Sequence, residues 1–471
     1  MKLSTNPYTT TSNQSRRYAP CVLLCIAGVF GGMLIGLAGR LEAVDDVNWG
    51  TTSHNGAAAT TTTYRPHSVP ARLQQKVQRV RTSLHLTGGT TASRPQSPFA
   101  VRDEFEKVYP PNDLERIHRT VQDLRKETPS TQSGMPYNVM ACPDEPPVDY
   151  PVAWNILTIL HHWNPDNTTI PADGIYQSLC VFDWQTEQYK AERYRELELP
   201  FVVTNHPEVL RAAERWTTPG YLERVLGDTA QRNEHSTNTN HLMFWRTYHL
   251  NAQSIPKDWK APTEMVELTY ADWLTKAQAM EQQSGADHTQ RDHWYFRLNG
   301  GGYNAKDPQA KSHPQNNPVL FHELPMFIPE QANFFLVEPT KGHGINCRFG
   351  MKGAIAEAHF DPTRNFILVL GGQRRYILTH PDQCENLELY PLKHPSGRHS
   401  RVDWSVPPPL DTERPFGRAR AQEVVLQAGD ALYLPTSWFH FIVSLNRNYQ
   451  CNARSGTTYE HADVIADCGF G

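Results

Sequence analysis

The stretch from Gly353 to Gly456 constrains the fold of this 471-residue chain more than any other part of its sequence. Short β-type runs alternate there with turn signals. Phe366-Ile-Leu-Val-Leu is followed by Gly-Gly and then by Tyr376-Ile-Leu, and a later Gly429-Asp turn leads into another apolar run. Short strands at this density, separated by turns, are typical of a small β-barrel or sandwich. We therefore expect a mainly β fold with flanking helices.

The same stretch contains three side chains that suit a metal site. Side chains two residues apart in a strand face the same way, so His359 and Asp361 are expected on one face. A second imidazole, His440, follows the Gly-Asp turn in the sequence Pro-Thr-Ser-Trp-Phe-His. Two imidazoles and one carboxylate leave metal positions open, which suits the non-haem Fe(II) of oxygenases. We predict that these three residues bind Fe(II) and form the catalytic centre.

The His-x-Asp tripeptide occurs three times, so the tripeptide alone selects no site. The copy at His380 has a central proline after an apolar run and indicates a turn. The copy at His461 lies in the terminal tail, with no later histidine to complete a ligand set. Only the copy at His359 is followed by β-type runs and a downstream histidine, and this context selects it.

Several motifs occur in an order that resembles a known family. The resemblance is to the JmjC, cupin-like oxygenases that use Fe(II) and 2-oxoglutarate, and within them to asparaginyl hydroxylases of the type that inhibits hypoxia-inducible factor. It is strong over about residues 345–455 and weaker back to Glu198. It implies a double-stranded β-helix (jelly-roll, cupin) core, and hydroxylation of a protein side chain with succinate and CO2 as co-products. The motifs are Gly-Met351-Lys-Gly, His359-Phe-Asp, Gly-Gln-Arg374-Arg-Tyr, Tyr390-Pro-Leu, Arg401-Val-Asp-Trp and Cys-Asn452.

The resemblance also implies roles for side chains outside the triad. Arg374 stands where the family usually has a lysine that pairs with the distal carboxylate of 2-oxoglutarate, and an arginine fork can grip a carboxylate with two hydrogen bonds. Tyr295 is similar to the tyrosine that contacts the same carboxylate, while Asn365 and Asn452 match polar residues near the cosubstrate. Ala356 replaces a family threonine. Together with Arg374 in place of the family lysine, this change leaves the identity of the 2-oxoacid open.

Two alternatives to a hydroxylase belong to other functional classes. One is a non-catalytic, metal-binding cupin-like module for sensing or interaction, against which the retained triad argues. The other is a JmjC demethylase, which a predicted membrane anchor and the lack of a chromatin-reader motif disfavour.

The expected partner is a protein or peptide substrate, with a small molecule or glycan as an open alternative. Arg297 and Arg454 are further candidate substrate contacts. A net charge of −4 does not favour nucleic-acid binding.

The N-terminal segment from Tyr18 to Gly39 is uncharged, largely apolar and near the length needed to cross a membrane. Arg16-Arg17 precedes it and acidic residues follow it, which favours an N-inside orientation. We expect a cytosolic tail at 1–17 and a signal anchor at 18–39. The protein would then be single-pass type II, facing the Golgi or endoplasmic reticulum lumen or the extracellular side.

Other interpretations of this segment stay open. They are a cleaved signal peptide of a secreted protein, an organelle transit peptide and a buried soluble helix. Its Gly-x-x-x-Gly spacing would also suit a homodimer of packed helices.

The rest of the chain divides by composition. Residues 40–103 are rich in Thr and Pro and predict a disordered linker. Residues 104–197 predict a helical region, and residues 198–471 an oxygenase domain. Eight cysteines occur without a zinc-type spacing, and the six that follow the apolar segment are either disulfide-bonded or buried thiols.

Overall fold

The computed structural model of the protein describes residues 97–110 and 130–471, apart from 133, 249, 284 and 332–333. The predicted tail at 1–17 and the predicted span at 18–39 lie outside these residues. Most of the predicted linker at 40–103 does so too, and its last residues begin a helix at Pro98.

The described strands form two sheets that together make the body of the protein. In chain order the strands are β1 (Trp154–Asn155), β2 (Val181–Asp183), β3 (Phe201–Thr204), β4 (Gln231–Ser236), β5 (His241–Leu242), β6 (Glu264–Leu268), β7 (His293–Gly301), β8 (Gly342–Gly350), β9 (Ile355–Phe360), β10 (Arg364–Gly371), β11 (Gln373–Thr379), β12 (Arg420–Gln427), β13 (Ala431–Leu434), β14 (Phe439–Ser444) and β15 (Asn448–Ser455).

The order of the strands is that of a jelly roll. Within the described residues, one sheet has the order β1-β12-β11-β14-β9-β5 and the other the order β2-β3-β13-β10-β15-β8-β7-β4-β6. From β8 onward the chain passes repeatedly between the sheets, and the strands β8 to β15 pair antiparallel with one another. This alternation of antiparallel strands between two sheets is the jelly-roll arrangement. The structure is thus mainly β, as the sequence predicts.

Helices flank the sheets. They are α1 (Pro98–Val108), α2 (Ile156–His162), α3 (Trp184–Glu196), α4 (Pro207–Thr217), α5 (Tyr221–Leu226), α6 (Tyr270–Glu281), α7 (Val319–Glu323) and α8 (Ala462–Ile465). The helix α4 contacts β10 and starts with a proline at its first position, where the missing N–H costs no intrahelical bond. Its apolar residues Val209, Ala212 and Trp216 belong to the main hydrophobic core.

A buried ion network links α1 to the rest of the protein. Arg215 on α4 pairs with Glu323 on α7 (Nε–Oε2 3.3 Å) and with Glu106 on α1 (Nη1–Oε1 3.1 Å). Glu323 also accepts hydrogen bonds from Trp216 Nε1 and the Tyr221 hydroxyl, and its side chain is fully buried. The carboxylate is therefore satisfied on several sides, which a buried charge requires.

Residues before the predicted domain start at 198 contribute to both sheets. β1 pairs with β12, and β2 runs parallel to β3. The boundary at 198 stays a prediction about domains, but the strands on either side of it share one hydrogen-bonded framework.

The turn between β10 and β11 depends on glycine. Gly372 has a φ of +67°, and a Cβ atom there would lie 2.1 Å from the carbonyl oxygen of Arg447. Because no side chain fits at that distance, the Gly-Gly pair in the sequence fixes how β11 turns back along the sheet edge. Arg374 and Arg375 follow at once and, being adjacent in a strand, face opposite sides.

The cysteines that the sequence left open are paired. In the described part of the chain the disulfides are Cys142–Cys180, Cys347–Cys451 and Cys384–Cys468. The second joins β8 to β15 at residues that lie opposite each other. Disulfide bonding rather than a set of buried thiols is therefore what the structure shows for these six residues.

The expected membrane localisation requires correction. Among the helices formed by the described residues, none is both long and apolar enough to cross a membrane. The predicted span at 18–39 itself lies outside these residues. The type II membrane topology, with its lumenal or extracellular location, is therefore not carried forward.

Candidate metal centre

The three predicted metal ligands meet at one place between β9 and β14. His359 lies near the end of β9, Asp361 follows the strand directly, and His440 lies on β14 opposite His359. Nitrogen and oxygen atoms of the three side chains all lie within 4.8 Å of one another. No other such cluster of potential ligands occurs in the part of the chain that the structure describes, so neither His380 nor His461 forms one.

Backbone carbonyls orient both imidazoles. Nδ1 of His359 lies 2.6 Å from the carbonyl oxygen of Glu357, and Nδ1 of His440 lies 3.1 Å from that of Trp438. A carbonyl oxygen only accepts, so each Nδ1 carries the proton and each Nε2 keeps its lone pair for a metal. This is the usual outer support of a histidine ligand.

The charge states of the triad suit a cation. Burial by itself would raise the pKa of Asp361, but Arg454, the two imidazoles and Arg398 hold this pKa well below its ordinary value. Burial lowers the pKa of both His359 and His440. An ionised carboxylate and two neutral imidazoles are the states that bind a metal ion. The donor set therefore fits Fe(II).

Arg454 is placed against one of the predicted metal ligands. Its Nη2 lies 2.7 Å from Oδ2 of Asp361, whereas Nη1 of Arg398 lies 3.6 Å from Oδ1. The sequence suggested Arg454 as a substrate contact, but in the structure its first partner is the carboxylate of the triad. Arg297, the other suggested contact, pairs with Glu234.

The predicted pair Arg374 and Tyr295 is also brought together. Nη1 of Arg374 donates to the Tyr295 hydroxyl at 2.9 Å, although the residues lie on β11 and β7 of different sheets. Arg374 is fully buried, so it is not a solvated strand residue. Ala356 packs beside Tyr295 in a small apolar cluster with Leu242 and Ala354.

A chain of buried hydrogen bonds joins this pair to the triad. Nη1 of Arg374 donates to Gln450 Oε1 (2.6 Å), and Gln450 Nε2 donates to Asn452 Oδ1 (3.2 Å). Asn452 Nδ2 donates to Asn365 Oδ1 (2.9 Å), and Asn365 Nδ2 reaches Asp361 Oδ2 (3.4 Å). Both predicted asparagines thus lie between the ligand carboxylate and the buried cation.

Several residues of this region were missed by sequence reasoning. The ring of His399 stacks on that of His359, with centroids 4.9 Å apart, and Arg398 approaches Asp361. Gln450 completes the amide chain. A signal for Gln450 was present in the sequence, because every second residue of this segment is polar: Asn448, Gln450, Asn452 and Arg454. This alternation indicates a strand with one polar face.

Cations outnumber carboxylates around the triad. Two carboxylates of this region, Asp361 and Glu234, pair with arginines. The arginines of the region are at positions 297, 348, 374, 398 and 454. Part of this positive charge is uncompensated by the protein, which suits a small anionic ligand next to the metal.

Comparison with known proteins agrees with this architecture. The model of the cupin-like domain family matches residues 186–454, which is more than half of the chain. The curated relatives include Lysine-specific demethylase JMJ31 of Arabidopsis thaliana, 30% identical over 126 residues (25% of this chain, 23% of the relative). They also include tRNA wybutosine-synthesizing protein 5 of Mus musculus, 33% identical over 121 residues (26% and 34%), and Lysine-specific demethylase 8 of Xenopus tropicalis, 33% identical over 106 residues (22% and 23%).

These alignments span no more than about a third of the length of the relatives described. They support the JmjC part of the resemblance, while the narrower likeness to asparaginyl hydroxylases stays a prediction. Because the family model matches more than half of its residues, the chain belongs to the cupin-like domain family.

Proposed function

We propose that this protein is an Fe(II)- and 2-oxoglutarate-dependent oxygenase that hydroxylates a side chain of a protein or peptide. The observation that carries the proposal is the His359, Asp361 and His440 cluster, with ligand atoms within 4.8 Å and both Nε2 atoms left for a metal. JmjC relatives in the same family support the cofactor assignment. When bound, Fe(II) and 2-oxoglutarate supply the oxidation of a C–H bond by O2, with succinate and CO2 as co-products.

The protein holds and shields these groups. The triad would hold the metal through three protein ligands, a number that would leave room for a cosubstrate and O2. Tyr295 and Arg374 mark the far end of the cosubstrate site, and Asn365 and Asn452 line the path between this pair and the triad. Because the amides are buried and bonded to one another, they are pre-organised.

Demethylation is the second candidate, because relatives named as lysine-specific demethylases match this chain. The same hydroxylation on an N-methyl group would release formaldehyde, whereas hydroxylation of an ordinary side chain would not. Formaldehyde therefore separates the two reactions.

The test is succinate release by the purified protein with Fe(II), 2-oxoglutarate, ascorbate and O2, with a peptide library as substrate. Iron-dependent succinate that is absent from the His359→Ala/Asp361→Ala variant would support an oxygenase. A mass increase of 16 Da on a peptide would identify a hydroxylase. A folded, metal-loaded protein that releases no succinate with any peptide would instead favour a metal-binding module without catalysis.

A further inference from the structure

Two arginines face each other across the β7–β8 ladder. Arg297 and Arg348 are direct partners in this antiparallel pair, and like charges in such positions destabilise a sheet. Arg297 is neutralised by an ion pair with Glu234. For Arg348, no carboxylate lies within ion-pair distance among the described residues, and its guanidinium donates only to the adjacent carbonyl of Cys347 (Nη1–O 2.9 Å).

Arg348 is also poorly hydrated. Its side chain is half-buried, and burial together with the nearby Arg297 lowers the pKa of Arg348 to about 9. A cation that is partly desolvated and opposed by another cation costs stability. This cost is recovered when an anion binds.

The position of Arg348 places this charge in the polar interior of the jelly roll. Across β8 and β15 it lies opposite Gln450, which belongs to the amide chain that leads to Asp361. The adjacent Cys347 faces the other side, where it is bonded to Cys451 in the apolar core. The carbonyl oxygen of Arg348 accepts a hydrogen bond from Nη2 of Arg374 (2.8 Å), so the two arginines are immediate neighbours.

Arg374, by contrast, has little capacity left for a ligand. Of the five N–H groups of a guanidinium, one on Nε is used by Asn448 Oδ1 and two on Nη1 by Tyr295 and Gln450. A fourth, on Nη2, is used by the carbonyl of Arg348. At most one N–H remains, and the Tyr376 hydroxyl also lies beside this guanidinium. Binding a carboxylate with two hydrogen bonds needs two N–H groups.

Tyr295 is arranged to donate to a ligand. Its hydroxyl accepts from Arg374, and among the described residues no acceptor for its own proton is present. A hydroxyl in this state offers its proton to an anion. Arg374 thus fixes the tyrosine, and through Gln450 and Asn448 it also fixes the strand β15.

We propose that Arg348, together with the Tyr295 hydroxyl, binds the carboxylate at the far end of the 2-oxoacid cosubstrate, and that Arg374 positions these groups instead of binding the cosubstrate itself. The inference rests on the proposed function, since it assumes a 2-oxoacid that chelates the metal at its other end. It predicts selection for a dicarboxylate, and it assigns this selection to a residue that the sequence motifs did not indicate.

The experiment compares two ligands on the full-length protein loaded with Mn(II) in place of iron, by isothermal titration calorimetry. The ligands are 2-oxoglutarate and 2-oxopentanoate, which carries a methyl group in place of the distal carboxylate. In Arg348→Leu we expect affinity for 2-oxoglutarate to fall about 10- to 100-fold, the value of a hydrogen-bonded charge pair, with affinity for 2-oxopentanoate unchanged. Arg348→Lys should recover part of the loss, because it keeps the charge.

Two controls separate binding from structure. Arg418→Leu removes one positive charge from an exposed turn and should leave both affinities as in the wild type. Arg374→Leu should lower the melting temperature, because it removes the bonds that fix Tyr295 and Gln450. It should weaken 2-oxoglutarate less than Arg348→Leu does, because it acts on the distal carboxylate only through Tyr295. The melting temperature of ligand-free Arg348→Leu should equal or exceed that of the wild type.

The outcomes are distinguishable. Equal loss of both ligands in Arg348→Leu, or selective loss of 2-oxoglutarate in Arg374→Leu alone, would overturn the inference and leave the oxygenase proposal intact. A wild-type protein that binds Mn(II) but not 2-oxoglutarate would overturn the proposed function and this inference with it.

Discussion

His440 lies directly across the antiparallel β9–β14 ladder from His359, with ring centroids 4.3 Å apart. Strand pairing therefore sets the distance between the two imidazoles, and Asp361 follows β9 immediately at the same end. A site built on paired strands is held more rigidly than one built on loops.

Metal binding should depend on one of the three His-x-Asp copies. Loss of a residue that hydrogen-bonds to a metal ligand typically lowers metal affinity about 10- to 100-fold. We expect His359→Ala to reduce Mn(II) affinity by more than this, because it removes a ligand itself. His461→Ala alters the same tripeptide outside the cluster and should bind as the wild type does. Electron paramagnetic resonance of bound Mn(II) measures both. Equal effects of the two variants would show that the metal lies elsewhere.

Arg454 should support the metal through Asp361. Arg454→Gln removes the guanidinium 2.7 Å from Oδ2 and leaves the carboxylate less firmly oriented. We expect Mn(II) affinity to fall about 10- to 100-fold, as for other outer partners of metal ligands. Arg401→Gln, which makes the same substitution at an exposed position, is the matched control. Undiminished metal affinity with impaired peptide turnover would instead return Arg454 to the role of a substrate contact.

His206 should make the protein less stable in mild acid. Burial lowers the pKa of His206 from 6.5 to about 4, and its ring lies between Trp184 and Phe335. Between these two pH values the unfolded chain takes up a proton that the folded protein does not, so the free energy of unfolding falls as pH decreases. The resulting loss of free energy of unfolding between pH 6.5 and 4 is about 3 kcal/mol.

The measurement is the melting temperature from pH 8 to pH 4 for the wild type and for His206→Phe. The phenylalanine keeps an aromatic ring between the two neighbours but cannot be protonated, so its melting temperature should decline less steeply in acid. Parallel pH profiles would show that His206 does not contribute.

Glu323 should be far more important for stability than an exposed acid of the same type. Glu323→Ala would leave Arg215 without its buried partner, and we expect a loss of about 3–5 kcal/mol in the free energy of unfolding. Glu145→Ala removes one partner of Arg193 in an exposed pair, with 41% and 69% of the two side chains accessible, and should cost about 1 kcal/mol or less. Urea denaturation compares them. Similar losses in both would contradict the proposed role of the buried network.

The sequence predicted the parts of this protein that depend on neighbours along the chain. The apolar run from Phe366 and the Gly-Gly turn gave β10 and β11, because strand and turn preferences are local. The region before residue 198 was expected to be helical, yet it supplies β1 and β2 as well as helices. Such short strands owe their existence to partners distant in sequence, β12 in the case of β1, and leave little local pattern.

The sequence by itself predicted a mainly β fold and singled out the three candidate metal ligands. The β fold follows from strand periodicity and turn residues, and the jelly-roll type was implied by the order of the family motifs along the chain. Only the tertiary structure decided which arginine has N–H groups available to bind an anion. Arg374 lies 79 residues from Tyr295, and whether its N–H groups are used depends on where β7, β8 and β15 place their polar atoms. The acceptors that pair with a guanidinium come from residues distant in sequence. A motif can therefore identify an arginine, but it cannot show whether the N–H groups of that arginine already have acceptors.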